Sequence, residues 1–347
     1  MRKLMAFVAA VVAMGAFAED WVYPGTKGDT ATREVTVPGG WTLSCYATKS
    51  GGKLNVNKIV GFPDEPAVLD LSGTFVDSKG AELILGEVWE DASNKISHGG
   101  RRRYLLGDQL DSVMNYPFAC AILAFVRYGV AERFMEAVVT VCENYPKPAL
   151  DCLMNHIGTH DTARILSRIA DYEIEDKPRR ALAKHKIAAD ELPRACALLK
   201  TAATLQYTLP GFPSLYYGDE AGMQGYKDPF NRGCYPWGNE DTELIEYVSE
   251  LSRVRKSVPN MKDGKIYFMS SEGIADDRLV AFTRTGFTCE KDCLVIINRS
   301  GDEVNIQNFS SRFNLFTDFE PLYGKFENDT AVIPPYGYTL VSAKFIK

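Results

Sequence analysis

The stretch AELILGEVWEDASNK, Ala81 to Lys95, decides how the chain is to be read. Three aliphatic residues, Leu83, Ile84 and Leu85, run into Gly86 and then into the carboxylate of Glu87 and the indole of Trp89. A short apolar run bounded by glycine reads as a buried strand. A buried strand that ends on an acid delivers that acid to one end of a sheet. Three later runs share the form: LDSVMNYPF (110–118), which carries Asn115 and Tyr116; LDCLMNHIG (150–158), followed by His160 and Asp161; and FPSLYYGDE (212–220), which ends on Asp219 and Glu220. Between them lie FACAILAFVRYGVAERFMEAVVTVCENY from Phe118 and ELPRACALLKTAATLQYTL from Glu191, with apolar residues at three- and four-residue spacing. Strands alternating with helices predict parallel pairing through crossover helices. The chemistry then gathers at the C-terminal ends of the strands.

The flanks have a different texture. Residues 19–80 contain REVTVP, WTLSCYAT, KLNVNKIVGF and AVLDLSGTF, short strand patterns between Gly, Pro and Asp turns, and predict a β-rich N-terminal segment unrelated to the alternating region at 81–258. Residues 259–347 contain KIYFMSS, RLVAFTRT, CLVIINRS, NIQNFSS, AVIPPYG and YTLVSAKF, which predict a separate C-terminal antiparallel β-sandwich domain. Residues 1–18 read as a signal peptide: Arg2 and Lys3 precede LMAFVAAVVAMGAFA, and Ala16-Phe17-Ala18 supplies a small-x-small cleavage site after Ala18. The expectation is a secreted or periplasmic protein. The competing reading of this segment, a buried helix or membrane anchor, meets an apolar run too short to span a bilayer. No later segment predicts a membrane span.

Composition narrows the function. The 347 residues are 46% hydrophobic, enough for a large core, and carry a formal net charge of −6 with no basic run longer than Arg101–Arg103. This argues against a nucleic-acid partner. The eight cysteines form no C-x-x-C pair and only four histidines are present, which argues against zinc and identifies no metal site. Most of the cysteines sit singly in apolar surroundings as buried free thiols do, an intracellular pattern at odds with the leader. Cys289 and Cys293 are candidates for a bridge across a hairpin.

Two acids flanking a bond, with histidine and aromatic surfaces beside them, suit glycosidic cleavage. Each acid also has an ordinary structural reading. Asp161 fits a helix N-cap, Glu87 a solvated loop acid, and Asp219 and Glu220 acceptors for loop amides.

The order of the motifs adds to this. LILGEVWEDASNKIS, GDQLDSVMNYPF, LMNHIGTHDTARIL and LQYTLPGFPSLYYGDEAGMQGYKDPFNRGCYPW together resemble the second half of α-amylase family glycoside hydrolases (family 13), of the neopullulanase and cyclomaltodextrinase group. The resemblance runs from about Ala81 through the C-terminal β region. It implies an α/β fold, a partial (β/α)8 (TIM) barrel comprising strands five to eight. By motif position Glu87 is the expected general acid/base and Asp161 the expected transition-state stabiliser. His160, Trp89, Tyr116, Asp228 and Arg232 are the expected substrate-binding residues, while Arg164 and Tyr217 fit packing and ion-pair positions equally well. The implied partner is an α-glucan or maltooligosaccharide; no cofactor is implied, and dependence on calcium, which many family members bind, stays open with no site identified. Family members bind calcium through front-half loops that have no counterpart here.

One part of the expected machinery is missing. A retaining mechanism needs a second carboxylate as nucleophile, and the family carries it in a G-x-R-x-D motif after the fourth strand; no such motif occurs in this sequence. The nearest imitation is Asp70 in PAVLDLSGTF, with Val68 at the arginine position and only 17 residues (87 minus 70) before Glu87, too few for a crossover helix with its loops. The alternating region is 178 residues long (81 to 258) and supplies four strands, whereas a closed barrel takes about 250 residues. The reading is therefore a β-rich leader segment joined to the rear half of a glucan hydrolase, inactive or crippled alone. A secreted non-catalytic carbohydrate-binding or scaffold protein, or one half of a split enzyme, remains the alternative. Open barrel edges predict a homo-oligomer or a complementing chain.

Overall fold

A computed structural model of the chain describes the strand backbone at 31–37, 41–50 and 53–60, and residues 84–346 apart from 98, 107–108, 172–177, 270–277 and 287–288. The signal-peptide reading and Asp70 lie outside the described residues. Two compact units are present, Met1–Ile84 and Leu85–Lys347. In the first, β1 (Ala31–Val37), β2 (Trp41–Ser50) and β3 (Lys53–Val60) form an antiparallel sheet in sequence order, with a register shift in β2 at Tyr46/Ala47. Three of the four strands expected there are accounted for, and the fourth, AVLDLSGTF, is outside the described residues.

The second unit opens with the acid-bearing strand, β4 (Leu85–Gly86). A small hairpin follows, β5 (Ile96–Ser97) and β6 (Gly100–Arg101), and then β7 (Ser112–Val113). Helices α1 (Tyr116–Tyr128), α2 (Ala131–Asn144) and α3 (Lys147–Asp151) lead to β8 (Met154–Asn155). Helices α4 (Ile165–Ala170), α5 (Arg179–Leu182) and α6 (Leu192–Thr208) lead to β9 (Phe212–Pro213). The pairings Leu85↔Ser112, Gly86↔Val113, Met114↔Met154, Met154↔Phe212 and Asn155↔Pro213 are all parallel and string the strands in the order β4-β7-β8-β9. Among the described residues, β4 and β9 have no strand partner beyond this row.

The ladders are two residues long, shorter than the apolar runs predicted, and local chemistry explains it. Asn115 is already an N-cap, its side chain accepting the Phe118 N–H at 3.2 Å, so the chain turns helical directly after β7. Pro213 has no N–H to give to a ladder. Side chains continue the stitching where the backbone stops. Asn115 Nδ2 donates to Asn155 Oδ1 at 2.8 Å, Asn155 Nδ2 to the Pro210 carbonyl at 2.6 Å, and Gln206 Nε2 to the carbonyls of Asn155 and Ser214 at 2.9 and 2.8 Å.

The long helical pattern from Phe118 is broken in two. Gly129 adopts φ 75°, and its N–H closes on the Phe125 carbonyl at 2.8 Å. An L side chain is strained in that conformation, so α1 ends there.

After α7 (Thr242–Ser257) and α8 (Asn260–Asp263), the antiparallel strands begin: β10 (Lys265–Phe268), β11 (Leu279–Thr285), β12 (Asp292–Asn298) and β13 (Val304–Gln307), then α9 (Phe309–Arg312), β14 (Phe316–Tyr323), β15 (Lys325–Glu327), β16 (Thr330–Ile333) and β17 (Tyr338–Phe345). They make a five-stranded sheet, β10-β11-β12-β17-β14, and a three-stranded one, β13-β16-β15. Strand alternation sorts the five-stranded sheet's side chains. Leu279, Ala281, Leu294, Ile296, Val341 and Ala343 join one core with Ile306, Ala331 and Ile333 of the small sheet. Val280, Phe282, Val295, Ile297 and Leu340 join the core formed by the helices. Both faces are buried, and the change of texture at 258/259 falls inside one compact unit. NIQNFSS gives way to α9 after Gln307, and β14 and β15, rich in acids and containing Pro321, escaped the strand pattern.

Three arginines, Arg284 buried and Arg255 and Arg299 half-buried, tie these layers together by satisfying carbonyls that helix ends leave open. Arg299 donates to the carbonyls of Val126 and Arg127 at the end of α1, and Arg255 and Arg284 to those of Tyr207 and Thr208 at the end of α6. Cys289 and Cys293 are both free thiols, which corrects the hairpin bridge. Cys293 points from β12 into the helix-facing core, and burial pushes its thiol up to about 12.

Candidate active site

Parallel strands that lie side by side send the residues after them to the same end. Glu87 and Trp89 follow β4, Asn115 and Tyr116 follow β7, His156 to Asp161 follow β8, and Tyr216 to Glu220 follow β9. The first three groups meet. The Trp89 and Tyr116 rings stack with centroids 4.0 Å apart and planes 16° apart. Trp89 Nε1 donates to Glu87 Oε1 at 3.0 Å, and the Tyr116 hydroxyl donates to the same oxygen at 3.4 Å. On its other side Tyr116 meets the buried His156 edge-on, 4.4 Å between centroids.

Tyr116 reports the convergence of the two expected carboxylates. Burial pushes its hydroxyl up to about 12, a hydrogen bond with Thr159 pulls it back, and the negative charges of Glu87 and Asp161 both add to the rise. The phenol therefore feels the charge of both acids, and it touches Glu87. Glu87 is exposed, whereas an apolar pocket is the setting that favours a carboxylic proton donor. β4 is an edge of the strand row among the described residues, so this row supplies no wall on that flank. Trp89 is 49% exposed and offers an open aromatic face.

Asp161 is no N-cap: α4 starts at Ile165, and the cap position is Arg164. Asp161 sits in a polar turn, its N–H donating to Thr159 Oγ1 at 3.2 Å while the Thr159 N–H donates to Thr162 Oγ1 at 3.2 Å. Its carboxylate lies 3.2 Å from His160 Nε2 and 3.7 Å from Arg232, which in turn holds Asp228 at 2.6 Å. His160, Asp161, Asp228 and Arg232 thus form one partly exposed cluster, and Asp228 precedes a cis peptide bond to Pro229.

Behind this turn lies the ion pair of Arg164 and Asp219, 3.2 Å apart and fully buried. The guanidinium also stacks over the rings of Tyr216 and Tyr217 at 4.3 and 4.5 Å and donates to the carbonyls of Asn231 and Tyr217. Burial pushes the Asp219 carboxyl up to about 7 against the pull of Arg164. Burial likewise holds the His156 imidazole down to about 4, with Arg168 adding to it. His156 and Asn231 escaped the sequence reading. Asn231 sits beside Arg232 in KDPFNR, where nothing local distinguishes it from a loop residue.

With this geometry in hand, the family follows from comparison. A profile described as alpha amylase, catalytic domain, matches residues 63–314. The chain belongs to the alpha-amylase family. The match begins 18 residues ahead of Ala81 (81 minus 63), within the segment read as unrelated to the barrel. The cyclomaltodextrinase of Geobacillus thermopakistaniensis is 30% identical over 270 residues, 75% of this chain and 40% of that protein. Neopullulanase 2 of Thermoactinomyces vulgaris is 31% identical over 228 residues, 65% of this chain and 33% of that one. Among solved structures, a cyclic alpha-maltosyl-(1→6)-maltose hydrolase from Arthrobacter globiformis matches with a TM-score of 0.57 at 23% identity, over 75% of this chain and 49% of that chain, a likeness of fold alone. The chain spans 12% to 40% of the length of the curated relatives it matches. The alpha-amylase family assignment makes it a relative of α-glucan hydrolases with a TIM-barrel fold.

Proposed function

We propose that the chain is the acid-bearing half of an α-glucan hydrolase, which binds maltooligosaccharides and has little or no turnover by itself. Glu87 is the proton donor, Asp161 and His160 engage sugar hydroxyls, and the open face of Trp89, braced by Tyr116, carries a sugar ring. Asp228 and Arg232 border the same cleft. The observation that supports this best is the stacked Trp89–Tyr116 pair, both of whose polar atoms donate to Glu87 Oε1, at 3.0 and 3.4 Å, with the charge of Asp161 also acting on the Tyr116 hydroxyl. What the reading lacks is a nucleophile: the sequence has no G-x-R-x-D, and covalent capture of the sugar needs a carboxylate about 5 Å from the acid. An acid with binding residues recovers only a small part of such a rate.

The test pairs two measurements on the purified chain. Calorimetry with maltoheptaose is expected to show binding, and hydrolysis of cyclodextrin, pullulan and p-nitrophenyl maltoside is expected to be absent or slight. Turnover at an ordinary enzymatic rate that Glu87→Gln abolishes would overturn the inactivity, and no heat at millimolar ligand would overturn the binding.

A second reading, that the chain works with a second set of strands from a complementing chain or another copy, is favoured by β4 and β9, each paired on one side among the described residues. Its apolar row, Met114, Met154 and Phe212, is partly exposed. Secretion after cleavage at Ala18 is part of the same proposal.

A further inference from the structure

The carbonyls of His160 and Thr162 bracket Asp161, and one buried side chain holds both. Asn231 Nδ2 donates to the His160 carbonyl at 2.6 Å and to the Thr162 carbonyl at 2.7 Å. Asn231 is 0% exposed, 71 and 69 residues away in sequence from the groups it ties. The side-chain orientation is dictated by chemistry. An amide oxygen in that place would face two carbonyl oxygens, so the nitrogen, with two hydrogens to give, belongs there.

Asn231 is itself fixed. Its own carbonyl accepts from Arg164 Nε at 2.7 Å, and Arg164 is anchored by Asp219 and by the carbonyl of Tyr217. The Arg164 N–H also donates to the Gly225 carbonyl at 2.9 Å. The segment after β9 thus grips the turn after β8 by its backbone on both sides of Asp161. Arg232, the next residue along, then reaches the Asp161 carboxylate from the same segment.

We infer that Asn231 is the positioning residue of this site: it sets where the Asp161 carboxylate stands by clamping the two peptide groups around it, and it does so without touching substrate. This rests on the reading of Asp161 as a sugar-binding carboxylate, but the clamp itself is open to a measurement that needs no ligand. Carbonyls left without donors inside a protein recruit water or move. A carboxylate displaced by an ångström loses directional bonds to a bound sugar.

The experiment uses the full chain and the variants Asn231→Ala, Asn231→Ser, Asp161→Ala and Asn231→Ala/Asp161→Ala. Hydrogen–deuterium exchange over residues 159–164 is expected to rise about tenfold in Asn231→Ala, with a smaller rise in Asn231→Ser, whose hydroxyl satisfies one carbonyl. Exchange unchanged in both variants overturns the clamp, whether or not sugar binds. For maltoheptaose, Asn231→Ala is expected to weaken binding about tenfold in the native background and to have no further effect beside Asp161→Ala, the non-additivity of residues acting through one another. Additive losses overturn the route through Asp161 and leave Asn231 a general stabiliser. A native chain that binds no sugar sinks the proposed function, and the exchange result still decides the clamp. Should both Asn231 variants fail to fold, nitrogen-resolved NMR of the native chain decides: the Asn231 side-chain amide protons must exchange far more slowly than an exposed amide, and fast exchange overturns the inference.

Discussion

Arg164→Met is the substitution that presses hardest on this architecture. The arginine is 1% exposed, and its guanidinium meets Asp219 Oδ1 at 3.2 Å, the Asn231 carbonyl at 2.7 Å and two tyrosine rings within 4.5 Å. Methionine fills much of the volume but leaves the Asp219 carboxylate buried without its cation. Removing one partner of a buried pair costs about 3 to 5 kcal/mol, a large share of the roughly 5 to 15 kcal/mol by which a domain is stable. The pH dependence sharpens the expectation. Burial already raises Asp219 from 3.8 to about 7 in the folded chain. A carboxyl raised on folding contributes stability that is full below its unfolded value and is lost as pH rises through its folded value. Without Arg164 the folded value moves higher still, so the loss continues above pH 7, at up to ~1.4 kcal/mol per pH unit. Urea unfolding followed by circular dichroism at pH 6 and pH 8 is expected to show a destabilised variant at both, with the wider gap at pH 8. Adding Asp219→Asn is expected to remove the pH dependence and recover part of the loss. A cost below about 1 kcal/mol, or a gap that does not change with pH, would refute the view that a buried charge pair anchors the turn.

Two further outcomes follow from neighbouring groups. In Gly158→Ala the added Cβ would stand 2.2 Å from Asp219 Oδ2, so a loss of ~1 to 3 kcal/mol from overpacking is expected in the same assay; a variant as stable as the native chain would contradict the packing. His156, held at about 4 in the fold against an ordinary 6.5, contributes stability that is lost as pH falls between those values, up to ~3 kcal/mol. His156→Gln is therefore expected to gain on the native chain progressively from pH 6.5 to pH 4, and a difference constant across that window would show that the imidazole is not held neutral.

Much of this protein was legible because the decisive patterns are local. A strand buried on both faces is a run of aliphatics, and a helix repeats its apolar residues at three and four. The four parallel strands and the acids at their ends followed from those patterns, the strand order was implied by the resemblance, and four motifs in order identified the family. Gly129, by contrast, looked like one residue inside a long helix. Its positive φ, and with it the break between α1 and α2, depends on the backbone conformation the packed helices require.

The sequence by itself determined which residues are candidates for the chemistry and that it holds no G-x-R-x-D motif, since both are questions of residue type and spacing. Tertiary structure alone decided which of those residues meet. Strand register put the Tyr116 hydroxyl on Glu87 and within reach of the charge of Asp161, 74 residues further along the chain (161 minus 87), and left Glu87 exposed at an edge. Packing sorted the five-stranded sheet between two cores and joined it to the helices in one unit. It also turned an unremarked loop asparagine into the clamp on Asp161. Hydrogen-bond partners distant in sequence are chosen by where the chain folds back, and no local pattern encodes that choice.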